Sequence, residues 1–150
     1  MPYEFQTKRR VEFADVDLAG FVYFSRFFVY METAEHEFLR SLGTSVHMKL
    51  NGQEVGWPRL AASCEYFSPA KFEDVLDIHL TVLRKGQTSM TYEFEITRED
   101  VLVARGQLSS ICCIIDPVSG PKSIPIPKFI AEKIEIKPRR HKATKKRTPS

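Results

Sequence analysis

Cysteine is scarce in this chain: Cys64, Cys112 and Cys113 are the three in 150 residues. An odd count with two neighbours in sequence makes no disulfide framework. Successive residues of a strand face opposite ways, so Cys112 and Cys113 cannot clamp one ion together. All three are read as small apolar residues of a protein kept in a reducing cytoplasm. No apolar run approaches 18 residues, so no helix is expected to span a membrane. The opening Met1-Pro2-Tyr3-Glu4-Phe5-Gln6 brings an early acid and no apolar stretch, so no secretory signal is expected. The chain has no G-x-S-x-G elbow, no phosphate-binding P-loop and no G-x-G-x-x-G. His36, His47, His79 and His141 are scattered without ligand spacing and read as surface or loop residues. No metal is expected.

What remains is an ordinary globular composition, 43% hydrophobic and 27% charged, of a length that buries one core. The formal charge of +3 hides an asymmetry. Lys137 to Arg147 hold seven Lys or Arg and no acid. Without those seven, 15 of the 22 basic residues face all 19 acids, so residues 1–136 carry about −4. A folded domain over 1–136 and a disordered basic tail over 137–150 are expected. The tail could meet nucleic acid, anionic lipid or an acidic acyl carrier protein, or only keep the chain soluble. It has no aromatic residue to stack on bases, so single-strand nucleic-acid recognition is poorly supported.

Along the domain, residues 6–14 read as a half-buried strand in which Val11 and Phe13 alternate with Arg10 and Glu12. Asp15-Val16-Asp17-Leu18-Ala19-Gly20 interrupts it as a loop. Apolar residues at spacings of three and four then predict a mostly buried helix over roughly Phe24 to Leu42, with Ser25 as a cap and Gly43 as a stop. Residues 44–58, which hold Gly52, Gly56 and Pro58, read as an irregular connection with one short helix. Strands are expected over 59–68, 74–84, 88–98 and 101–115, with a turn at Gly86-Gln87 and a tight hairpin at Glu99-Asp100. Asp116 to Pro121 ends the last strand, and a short helical stretch is expected from Lys128 to Ile134. Short connections imply antiparallel pairing. One apolar helix against one curved antiparallel sheet buries both apolar faces, so the class is α+β.

The candidate site is Asp15 to Phe24, two carboxylates just before a buried helix. A helix N-terminus offers free N–H groups and a positive partial charge, which can stabilise an oxyanion on an acyl carbonyl. A carboxylate beside that carbonyl can attack it or activate water. Gly20 lets backbone approach a ligand. The plainer alternative is that both aspartates only solvate a loop and complement the helix dipole.

The stretch from Val11 to Gly43 resembles the 4-hydroxybenzoyl-CoA thioesterase family of hotdog-fold proteins. The family's D-x-D-x-x-G-x-V-Y/W pattern is met by Asp15, Asp17, Gly20, Val22 and Tyr23, after the aromatic Phe13. Glu65 to Ala70 and Glu73 to Leu76 resemble its next segments, and the likeness runs over roughly residues 5–116. The resemblance implies a hotdog fold, a sheet of about five strands around one long helix. It implies hydrolysis of acyl-CoA thioesters without metal or redox cofactor. Asp17 would be nucleophile or general base, and the backbone N–H of Phe24 would polarise the carbonyl. Tyr23 would line the acyl pocket, and Asp15 would support the loop. Arg84 and Lys85, and less strongly Arg59, would meet the CoA phosphates. Glu35 is the alternative base, from a related subfamily. Phe24 and Arg26 depart from the His or Tyr and the Asn of many relatives. The resemblance also implies a homodimer or homotetramer with shared sites. A second reading keeps the fold without turnover, as a module that holds an acyl thioester or docks on an acyl carrier protein. The acyl group, aromatic or fatty, is left open.

Overall fold

The computed structural model describes residues 3–136. The basic tail over 137–150 lies outside the described residues. Strand β1 (Glu4–Arg10) is followed by a short 3-10 turn, Phe13–Asp15, and by helix α1 (Arg26–Ser41). Eight further strands come next: β2 (Met48–Leu50), β3 (Gln53–Gly56), β4 (Arg59–Tyr66), β5 (Val75–Lys85), β6 (Ser89–Arg98), β7 (Val101–Ile111), β8 (Cys113–Asp116) and β9 (Gly120–Ser123). A four-residue helix α2 (Lys128–Ala131) follows. Five strands form one antiparallel sheet in the order β1-β5-β6-β7-β4. This is the expected α+β layout, one long helix on one antiparallel sheet.

Helix α1 buries Phe27, Tyr30, Met31, Ala34, Glu35, Phe38 and Leu39. These positions recur every three or four residues and give one apolar face. That face meets the inward residues of β5 (Leu76, Ile78, Leu80, Val82) and β6 (Met90, Tyr92, Phe94, Ile96). Each such side chain contributes about 1.5–3 kcal/mol when fully buried. Gly106 on β7 is what lets the helix lie this close. A Cβ there would collide with the Met31 side chain and come within 2.7 Å of the Ser63 carbonyl oxygen. The helix ends as its glycine suggests. Gly43 takes φ +83°, its N–H donates to Arg40 O, and the Thr44 N–H donates to Leu39 O. Ser25 does stand at the N-cap position, but it makes no side-chain cap bond.

Four expectations are corrected. The first strand stops at Arg10, and Phe13 is not inward but 78% exposed. The Glu12 N–H donates to the Asp15 carboxylate, which curls the chain into the 3-10 turn and rotates Phe13 outward. The helix begins at Arg26 instead of Phe24. Residues 44–58 hold no helix but the hairpin β2–β3, turned by Asn51 and Gly52 at φ 51° and 79°. Two successive positive φ values give the turn whose twist matches a hairpin. The expected long strand 101–115 is two strands. It breaks at Cys112, and β8 continues into a second sheet of order β2-β3-β8-β9. The Ile111 N–H donating to Pro58 O marks the bend where the β4–β7 pair passes into β3–β8. The hairpin at Glu99 and Asp100 is as expected, with φ 47° and 67°.

Candidate active site

The site is built where the chain leaves β1 and enters α1. Val11 is fully buried, and its N–H donates to Asp74 O at the head of β5. Asp15 is 5% exposed. Its Oδ2 accepts the Tyr30 hydroxyl at 2.8 Å and the Glu12 N–H at 2.9 Å, and its Oδ1 lies 3.8 Å from Arg26 Nε. Its main-chain oxygen accepts the Tyr23 N–H. Asp15 thus ties the end of β1, the loop and the first turn of the helix into one piece. Burial and the Asp15 carboxylate together push the Tyr30 phenol well above its ordinary pKa, so it stays a donor. Arg26 adds to the same tie, donating to Ala14 O at 3.2 Å.

Asp17 is exposed. Its Oδ1 accepts the Ala19 N–H at 2.9 Å and the Phe21 N–H at 3.2 Å, while its own N–H donates to Phe21 O. Gly20, at φ +84°, closes this ring with an N–H to Asp17 O and leaves open space where a Cβ would be. The geometry fixes the carboxyl group through one oxygen. The other, Oδ2, takes no donor among the described residues. Asp17 lines a depression of about 630 Å³ together with Phe13, Val16, Leu18, Gly20 and Phe72. The Phe13 and Phe72 rings meet edge to face there at 5.8 Å.

Phe24 is 57% exposed, one residue ahead of the N-cap. Its N–H has no acceptor among the described residues. The carbonyl of the same peptide, Tyr23 O, accepts the Arg26 N–H at 2.9 Å, so the plane is held while the N–H stays open. Phe24 lines an apolar groove of about 360 Å³ with Phe21, Phe27, Tyr66, Phe67 and Pro69. Tyr23 is outside that lining and instead sets its ring 4.9 Å from Phe24. Within one chain, then, Asp17 and Phe24 line two different depressions that share no lining residue.

The expected cations fare differently. Arg59 is committed internally: it forks onto Glu35 at 2.5 and 2.8 Å, reaches Ser110 Oγ at 2.8 Å and Glu32 at 3.3 Å. Burial alone would lower its pKa, and the two carboxylates more than reverse that. Glu35 is 1% exposed with both oxygens on Arg59, so it is closed to a substrate in this arrangement. Lys85 spends its ammonium on the carbonyls of Ala131 and Ile134, holding the α2 segment against β5. Only Arg84 is exposed. It stands nine residues along β5 from Val75, about 30 Å at the rise of a strand, so it is remote from Asp17 in the same chain. Tyr30 and Tyr66 were not singled out by sequence. Tyr30 reads only as one more apolar helix position, and the Tyr66 hydroxyl finds its partner, Phe24 O, across 42 residues of chain.

An antiparallel sheet wrapped on one helix, with a loop carboxylate and an open helix-start amide, defines a hotdog protein equipped for acyl chemistry. The thioesterase superfamily model matches residues 19–104, more than half of the chain, beginning just after Asp17. A 1,4-dihydroxy-2-naphthoyl-CoA hydrolase of Synechocystis is 30% identical over 110 residues, 72% of this chain and 80% of that protein. The acyl-CoA thioesterase YbgC of Haemophilus influenzae is 25% identical over 118 residues, 77% of this chain and 87% of its own. The crystal structure of a 1,4-dihydroxy-2-naphthoyl-CoA thioesterase from Synechocystis superposes with a TM-score of 0.76 at 28% identity, covering 87% of this chain and 95% of the other. The chain belongs to the thioesterase superfamily and is a thioester hydrolase. No helix among the described residues is long and apolar enough to cross a membrane.

Proposed function

We propose that this protein hydrolyses an aromatic acyl-CoA to the free acid and CoA, with Asp17 Oδ2 as nucleophile or general base and the Phe24 N–H polarising the thioester carbonyl. The observation that carries the reading is the half-engaged Asp17. One carboxylate oxygen is fixed by two backbone N–H groups, the other takes no donor among the described residues, and Asp17 lines an open depression. A carboxylate held by one oxygen is aimed without being neutralised, which is what attack on a carbonyl or on water requires. The open Phe24 N–H at the positive end of a 16-residue helix suits a developing oxyanion. The aromatic groove beside it supports an aryl acyl group, as does the naphthoyl-CoA activity named for the Synechocystis relatives.

A second copy of the chain completes the site in this account. Strand β4 is a sheet edge with six of its eight residues exposed, Leu60 at 59% among them. An open edge of this kind is a template for pairing with a second chain. Arg84, remote from Asp17 in its own chain, would then have to serve the substrate held by the other copy. Light scattering should give a mass near twice 17.3 kDa or a multiple of it, and a monomer at micromolar concentration would contradict the shared site.

The substrate class is tested by thiol release from short-chain, long-chain and aromatic acyl-CoAs. Aromatic esters should show the highest kcat/KM. A clear preference for long fatty chains would overturn the aromatic assignment and leave the thioester chemistry standing.

A further inference from the structure

The Tyr66 hydroxyl donates to the main-chain oxygen of Phe24 at 2.9 Å, joining the far end of the edge strand β4 to the turn that opens α1. The bond is solvent-exposed, so water could replace it at little cost to the fold. Its value lies in direction. The peptide before Phe24 is held by the Arg26 N–H on Tyr23 O, and the peptide after it is held by Tyr66. With both flanking peptides tied, the N–H of Phe24 has one orientation. Nothing nearer does this: Ser25, at the N-cap, makes no side-chain bond to the first turn. The Tyr66 ring is itself steadied, 5.4 Å from the Phe27 ring in the groove. Burial, and then the neighbouring Cys64, raise its phenol to about 12, so it remains a donor through the neutral and mildly alkaline range.

We propose that Tyr66 is a positioning residue for the reaction, acting through Phe24 by aiming the amide that receives the oxyanion. This rests on the reading of the Phe24 N–H as the oxyanion donor. A group that aims a donor for the transition state should alter kcat and leave ground-state binding nearly unchanged.

Tyr66→Phe keeps the ring and removes only the hydroxyl. In the full-length protein with an aromatic acyl-CoA, kcat should fall about 3- to 10-fold with KM within twofold and an unchanged melting temperature. The backbone amide signals of Phe24 and Ser25 in an NMR spectrum should shift or broaden, while those of Ala19 and Phe21 in the Asp17 ring stay put. Tyr66→Leu, which also loses the ring, should raise KM in addition. An unchanged kcat with unmoved Phe24 and Ser25 signals would overturn the proposal, and so would a loss confined to KM, which makes Tyr66 a binding group. A wild type inert toward every thioester would instead overturn the proposed function. The amide signals would then decide alone whether Tyr66 holds the turn: moved signals support it, unmoved ones end it.

Discussion

At the scale of single residues, the two aspartates of one short motif have opposite environments. Asp15 is buried and fully engaged, and Asp17 is exposed and half engaged. Their contributions should separate in the same way. Asp15→Ala strands the Tyr30 hydroxyl and the Glu12 N–H in a buried corner, so it should lower unfolding stability by about 2–4 kcal/mol, read by urea denaturation. An unchanged stability would mean the corner is not the tie it looks. The D-x-D spacing marks a loop carboxylate standing before a helix. It could not say which aspartate turns inward, because that depends on Tyr30, 15 residues away along the chain. The outward turn of Phe13 was hidden for the same reason: alternation predicts an inward side chain until the Asp15 bond to Glu12 curls the backbone.

At the scale of elements, the edge strand β4 is fastened to α1 at both ends, by Arg59 at its start and Tyr66 at its finish. The Arg59 fork is the stronger tie because it reaches a carboxylate in the core. Arg59→Ala should cost about 3–5 kcal/mol, since it leaves Glu35 buried without a partner. The double variant Glu35→Leu with Arg59→Met removes both charges and should recover most of that loss in the same denaturation measurement. If the single and double variants were equally unstable, packing and not the unpaired charge would explain the effect. Sequence offered Arg59 as a phosphate ligand and Glu35 as a spare base. Neither residue's pairing is legible locally, because they lie 24 residues apart on different elements. The long helix, by contrast, was legible from its periodicity, and β6 from its alternation, since those patterns are local. The β2–β3 hairpin could have been read from Asn51-Gly52, a pair suited to two positive φ values.

At the scale of the whole molecule, three of the five tyrosines, Tyr30, Tyr66 and Tyr92, have phenols raised above the ordinary value of 10. The folded state therefore holds these protons more tightly than the unfolded chain does. The stability linked to them is fully present below pH 10 and is lost as pH rises through 10 to 12 and beyond. Near-ultraviolet titration of phenolate should show Tyr66 ionising near pH 12, with Tyr30 and Tyr92 ionising only as the fold gives way. Three phenols titrating together near pH 10 in the folded protein would contradict the burial of Tyr30 and Tyr92. The five-strand sheet and its helix were foreseeable as an architecture, because one apolar helix has few other ways to cover itself. The second sheet was not, since β8 reads as a continuation of β7 until the bend at Cys112. Turnover as proposed depends on the free oxygen of Asp17. Asp17→Asn can still accept the Ala19 and Phe21 N–H groups through its amide oxygen, so the loop should keep its shape. Thiol release from the best acyl-CoA, measured for wild type and Asp17→Asn side by side, should fall by about 10²-fold or more in kcat with the melting temperature nearly unchanged. Equal rates in the two proteins would contradict the account.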